Sequence, residues 1–378
     1  MSSSSAPALP PREDADLADD VARILRVTLA ERREELRAIA PEVASLVGVL
    51  STFLEGGKLL RPRFCFWGGA AVRVPDEAER ERLATLGAAI ELVQAAALVH
   101  DDLIDHSPTR RGRPAVHVAA ADDHRARALV GSSEEHGAAV AVVLGDLALA
   151  WANALAAEVL ASAPASAPAA RREYDLLCSE VMAGQYLDIL HQAGGFVSQA
   201  LEEDAALAVI RWKTIPYTVL RPLRLGAALL GADDALLEGL SRYAEAVGRG
   251  FQLRDDLLGV IGDEAATGKS ASSDIAEGKR TLLLAVAQER ADDRQREVLA
   301  RTVGADDASP EDLAAVRAVL RGTGAIAEVA RRVREDADAA VGTVSAMTGI
   351  TDQARAALID LARATTDLAG LELGPTAD

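Results

Sequence analysis

Apolar residues recur every three to four positions along most of the chain, and no strictly alternating segment bounded by hairpin turns interrupts them. Ala, Leu, Glu and Arg fill these stretches, which reinforces the helical reading. The spacing predicts helices over residues 16–39, 62–73, 86–104, 140–160, 169–191, 203–214, 216–230, 236–261 and 281–289. Three more are predicted towards the end, over 310–321, 324–341 and 353–371. Residues 86–104 are apolar nearly all round until an acidic end, the pattern of a central buried helix. The fold class is therefore expected to be all-α. Residues 1–14, rich in Ser, Ala and Pro, cannot offset ordering entropy by burial and are expected to form a flexible tail. Residues 161–170 and 304–310 read as long surface loops.

Composition narrows the function classes. The 378 residues are 49% hydrophobic and 26% charged, enough for a sizeable core and incompatible with global disorder or a disulfide scaffold. Cys65 and Cys178 lie far apart in apolar stretches and read as buried thiols of a reducing compartment. Forty basic residues against 58 acidic ones give a net charge of -18, which repels nucleic acid and anionic membrane. No uninterrupted apolar run approaches the roughly 20 residues of a membrane span. The first residues also lack the basic and apolar regions of a signal peptide. A cytoplasmic protein with no nucleic-acid partner and no transmembrane segment is expected.

The chemistry concentrates where helices end. His100-Asp101-Asp102-Leu103-Ile104-Asp105 sets three carboxylates at the C-terminal end of a very apolar helix, where the helix dipole favours cations. Acids beside an apolar core need neutralisation. Asp101 and Asp105, one turn apart, face the same way with about 5–6 Å between Cβ atoms, a spacing that can hold hard divalent cations such as magnesium. Alone, this motif fits a solvated helix end better. A second cluster, Phe251-Gln252-Leu253-Arg254-Asp255-Asp256, changes the balance, since two acidic walls facing each other repel unless metal ions and a multiply charged anion lie between them. Basic residues stand where such an anion needs them: Lys58, Arg61 and Arg63 after Gly56-Gly57, then Arg110, Arg111 and Arg113, then Lys269, Lys279 and Arg280.

With these pieces in order, residues 56–281 resemble the trans-type isoprenyl (polyprenyl) diphosphate synthase family, in particular its geranylgeranyl diphosphate synthase-like members. The motifs are GGKLLRP, HDDLID with SPTRRGRPAVH, AGQYLD, WKT, FQLRDD, TGK and DIAEGKRT. The resemblance implies a single large bundle of mostly antiparallel helices around a central cavity, spanning residues 15–378 as one domain and forming a homodimer. It implies magnesium, three ions when the allylic diphosphate is bound, with Asp101, Asp102 and Asp105 in the first metal motif and Asp255 and Asp256 in the second. Arg110, Lys213, Lys269 and Lys279 then resemble allylic diphosphate ligands. Lys58, Arg61, Gln94 and Arg111 match the isopentenyl diphosphate site, with Gln94 where many members have His. Thr214 and Gln252 match residues whose oxygens face the developing cation, and Gln185 and Asp188 resemble a cavity-lining pair. His100 reads as a hydrogen-bonding neighbour. One departure is plain: the third aspartate of the second motif is replaced by Gly259. Asp263, about 12 Å along a helix from Asp255, does not substitute, so water would complete the shell.

The reaction so implied ionises an allylic diphosphate, couples the cation to isopentenyl diphosphate and loses a proton, with no protein nucleophile. Ala96 and Ala97, one turn before Asp101, are too small to block the cavity below it, and geranylgeranyl diphosphate is the expected product. Two rivals are a class I terpene cyclase, which has no use for the second phosphate site at GGKLLRP, and a non-catalytic regulatory subunit of a heteromeric prenyl synthase.

Overall fold

The computed structural model describes residues 11–194, 202–262, 275, 278–305, 308–371 and 373. The N-terminal segment 1–10 and the TGK motif with Lys269 and Asp263 lie outside them. The chain is all-α: α1 (Pro11–Ile39), α2 (Pro41–Leu54), α3 (Leu60–Val72), α4 (Glu77–Ile104), α5 (Val116–Ala126), α6 (Ser133–Ser162) and α7 (Ala167–Gln192) make its first half. There follow α8 (Glu202–Val209), two π-helical stretches (Ile210–Thr214 and Pro216–Leu220), α9 (Arg221–Leu229) and α10 (Asp234–Ile261). The rest comprises α11 (Leu282–Arg290), α12 (Asp293–Thr302), α13 (Pro310–Gly322), α14 (Ala325–Ala346) and α15 (Asp352–Thr365).

Sequence chemistry sets most of these boundaries. Asp76 starts α4 with a capping box, its carboxylate accepting from the Glu79 amide at 2.8 Å while Glu79 reaches back to the Asp76 amide. Asp233 caps α10 in the same way by accepting from the Leu236 amide. The central helix is α4, longer than predicted, with Leu83, Leu86, Ile90, Leu92 and Val99 buried between α3 and α6. Two apolar cores result. One gathers α1 to α4, α6, α7, α9 and the first part of α10, and the other joins the end of α10 to α11 through α14.

Three expectations change. Residues 11–14, assigned to the tail, are the first turn of α1. Residues 161–170 are mostly helical, leaving only 163–166 between α6 and α7. Between Thr109–Arg110 and Arg113–Pro114 there is also a short antiparallel ladder, turned by Arg111 (φ 53°) and Gly112 (φ 72°). Positive φ at both central positions is what a tight two-residue hairpin requires. Among the described residues two helices, α4 and α6, have the length and composition of a membrane span; 72% of that window is buried in α4 and 39% in α6.

Candidate active site

The first aspartate cluster arrives with its counter-charges. Lys213 Nζ lies 3.2 Å from Asp101 Oδ1 and 2.7 Å from Asp188 Oδ2, and Lys279 Nζ lies 3.3 Å from Asp105 Oδ2. Arg110 donates Nε to Asp102 Oδ1 at 2.9 Å, also engages it through Nη2, and comes within 3.8 Å of Asp101. Burial pushes the Asp101 carboxyl up, but Lys213, Lys279 and Arg110 outweigh it and hold the group below its ordinary value. Lys213 shows the reverse balance: burial lowers its ammonium, while Asp101, Asp188 and Asp105 carry it above the usual lysine range. Asp102 differs from its neighbours. It is 1% exposed and turned to Arg110, so the geometry makes it a holder of that arginine before it is an ion ligand.

The WKT residues owe their placement to the π-helical stretch. Wider turns of this kind occur mostly as local features of helices, often at functional sites. The segment can lie against α7 because residue 184 is glycine: a Cβ there would stand 2.4 Å from Lys213 Cα. Thr214, next in sequence, donates its hydroxyl to Gln252 Oε1 at 2.7 Å, and Gln252 Nε2 donates to Asp256 Oδ1 at 2.8 Å. A continuous path therefore runs from Asp101 through Lys213 and Thr214 to Gln252 and Asp256, bringing the two aspartate clusters into one site. Asp256 is buried and Asp255 exposed on α10.

The third group sits on the next π-helical stretch. Arg61 lies 4.2 Å over the Tyr217 ring and donates to Thr218 Oγ1 at 3.1 Å, while the Tyr217 hydroxyl donates to Gln94 Oε1. That contact leaves the Gln94 amide nitrogen as the end able to donate elsewhere. Glu91 is buried one turn before them. Burial raises its carboxyl above the usual range although Arg61 and Arg111 pull it down. Arg111, on the hairpin turn, donates to the carbonyls of Phe53 and Glu55 at 3.3 and 2.9 Å, next to the exposed Lys58.

The sequence reading did not single out Tyr217, Thr218 or Glu91. The available signal was weak: one tyrosine four residues after Lys213, and one glutamate inside an apolar helix. His100 hydrogen-bonds through Nε2 to the Val142 carbonyl at 3.3 Å, as expected of a neighbour in packing. Lys269 lies outside the described residues.

The donors suit magnesium without forming a complete cage. Among the described residues no group of three or more His, Cys, Asp and Glu side chains could hold an ion. Each wall offers carboxylate oxygens in pairs or singly, which matches an ion that keeps water and substrate phosphate in its shell.

Comparison with known proteins agrees. Residues 44–320 match the polyprenyl synthetase family. A short chain isoprenyl diphosphate synthase of Methanothermobacter thermautotrophicus is 31% identical over 277 residues, 73% of this chain and 76% of that protein. A geranylgeranyl diphosphate synthase of Sulfolobus acidocaldarius is 30% identical over 269 residues, 69% and 72% of the two chains. Among solved structures, geranylgeranyl pyrophosphate synthase from Corynebacterium glutamicum, complexed with isoprenyl diphosphate and magnesium, superposes with a TM-score of 0.87. It is 36% identical, and the match covers 93% of this chain and 98% of that one. The chain belongs to the polyprenyl synthetase family and is a trans-prenyltransferase. These likenesses support the elongating synthase and neither the cyclase nor the inert subunit.

Proposed function

We propose that this enzyme condenses isopentenyl diphosphate with an allylic diphosphate to make geranylgeranyl diphosphate. The observation that carries the reading is the path from Asp101 through Lys213, Thr214 and Gln252 to Asp256, which joins two carboxylate clusters by way of a lysine and two neutral oxygens. Magnesium, when bound, adds positive charge that stabilises the departing diphosphate. Asp101 and Asp105 with Asp255 and Asp256 would hold the ions, three in all. Lys213, Lys279, Lys269 and Arg110 bind the allylic diphosphate, and Asp102 keeps Arg110 aimed at it. The hydroxyl of Thr214 and the carbonyl oxygen of Gln252 offer partial negative charge to the allylic cation. Lys58, Arg61, Arg111 and Gln94 bind isopentenyl diphosphate so that its double bond meets that cation, and the released diphosphate takes the proton.

Residues 15–378 act as one domain in this reading. A homodimer is favoured by the apolar α6, which leaves Val142 and Val143 exposed. A cytoplasmic location is favoured by the unpaired Cys65 and Cys178. Incubating the purified protein with magnesium, labelled isopentenyl diphosphate and primers of five, ten and fifteen carbons tests the reaction. A twenty-carbon product is expected. Failure to extend any primer would overturn the proposal.

A further inference from the structure

Four charged side chains between α7, α9 and α10 have no part in the reaction just described. Arg221, the first residue of α9, directs three nitrogens at carboxylates: Nε and Nη2 to the two oxygens of Glu180 at 2.6 and 2.7 Å, and Nη1 to Glu173 Oε2 at 2.8 Å. Arg224 donates Nε to the other oxygen of Glu173 at 2.9 Å and Nη1 to Ser241 Oγ at 3.0 Å. Glu173 is buried, and the side chains of Arg221 and Glu180 are each 15% exposed. A buried ion cluster is seldom more stabilising than apolar residues of the same volume, so stability alone does not account for it. What a bidentate arginine fork supplies is fixed geometry.

The spacing shows which geometry is fixed. On α7, Glu180 and Asp188 are eight residues apart. Their cationic partners, Arg221 and Lys213, are also eight apart on the segment running the opposite way. Two ion pairs therefore bracket the second π-helical stretch and the end of the first. The glycine contact at residue 184 lies between them, so α7 touches the Lys213 backbone directly. The first stretch presents Lys213 and Thr214 and the second presents Tyr217. A slip of one residue back to α-helical winding would turn these side chains by about 100° about the axis, taking Lys213 off Asp101 and Thr214 off Gln252.

We propose that Arg221, gripped by Glu180 and Glu173, is a positioning residue for prenyl transfer: it holds the register of the π-helical segment. This rests on the synthase reading above. The test compares Arg221→Lys, which keeps the charge and loses the fork, with Arg224→Lys, which loosens the same buried cluster away from the bracket. At saturating substrates Arg221→Lys is expected to lower kcat tenfold or more, while Arg224→Lys stays within twofold even if its Tm falls as far. Acrylamide quenching gives a second readout, because Trp212 on the π-helical segment is 44% exposed while Trp67 and Trp151 are buried. Quenching should change in Arg221→Lys and not in Arg224→Lys. If Arg221→Lys does not fold, Glu180→Gln takes its place with an expected loss of threefold or more. Equal losses in the two arginine variants, or wild-type kcat in a folded Arg221→Lys protein, would overturn the proposal. A wild-type enzyme that elongates no primer would instead remove the synthase reading.

Discussion

The two aspartate clusters are held by different forces. Asp101 and Asp105 are enclosed with Lys213, Lys279 and Arg110, and these cations keep Asp101 ionised against the cost of burial. On α10, Asp256 is fixed by an amide hydrogen bond from Gln252, while Asp255 stands exposed. The first wall is thus assembled as part of the packed protein, with its lysines turned to the aspartates themselves. The second keeps its outer carboxylate in solvent. A carboxylate woven into a buried ion cluster and one left at the surface should respond very differently to removal.

The largest effect is expected for Asp101→Ala. It deletes an ion ligand and leaves Lys213 and its neighbours without a principal counter-charge. Elongation should fall about a thousandfold, the equivalent of about 4 kcal/mol at the transition state, and Tm should fall with it. Asp255→Ala should cost about a hundredfold in turnover with almost no change in Tm, since exposed substitutions move stability by about 0.5 kcal/mol or less. Primer-extension rates and thermal unfolding of both variants check the contrast. Near-normal rates would exclude the ion-binding role, and equal losses of Tm would erase the distinction between the walls.

Glu91 sharpens the comparison, because there burial wins over the cations instead of losing to them. Its carboxyl is raised above 4.5 by burial, with Arg61 and Arg111 opposing. A carboxyl with a higher pKa in the folded state binds its proton more tightly there. Its stabilising contribution is full below the unfolded value and is lost as pH rises through the folded one. At pH 7, above the ordinary carboxyl range, Glu91 therefore works against folding. Glu91→Gln should raise Tm by about 2 °C at pH 7 and by less at pH 4. An identical shift at both pH values would mean that Glu91 is not titrating between them.

What could be read from the sequence follows from the range of the forces involved. The acid-ended central helix, the paired acids of α10 and the basic turns are local chemistry, and the structure places Asp101, Lys213, Gln252 and Asp256 in one chain of contacts. The helix α12 was also legible, since Asp292 and Gln295 form a capping box that the periodicity reading passed over. By contrast, α2 follows Ala40, which supplies no side-chain cap, and holds β-branched residues, so its helix depends on packing of Val47 and Leu50 against the core. The π-helical winding was invisible for a similar reason. It is set by Gly184 on a neighbouring helix and by ion pairs to α7, none of them adjacent in sequence. Asp102 illustrates the limit within a motif, because only the fold shows that it faces Arg110.

The smallest effect on rate, and the most specific one, concerns chain length. Ala97 lies four residues before Asp101, on the same face of α4, and stays partly exposed, whereas Ala96 is only 4% exposed and belongs to the core. A phenylalanine at either position adds bulk one turn below the aspartates without touching their charges. Ala96→Phe should shorten the final product by at least one five-carbon unit, but it must also overpack the core at a cost of about 1–3 kcal/mol. Ala97→Phe starts from a position that is only partly buried against the same core, so it should shorten the product equally while Tm stays closer to the wild type. Chromatography of the dephosphorylated alcohols reads both outcomes, and rates of forming the shorter product should remain within severalfold of normal. If the chain length were unchanged in both variants, residues on other helices would bound the cavity, and the two alanines would serve only to let α4 pack.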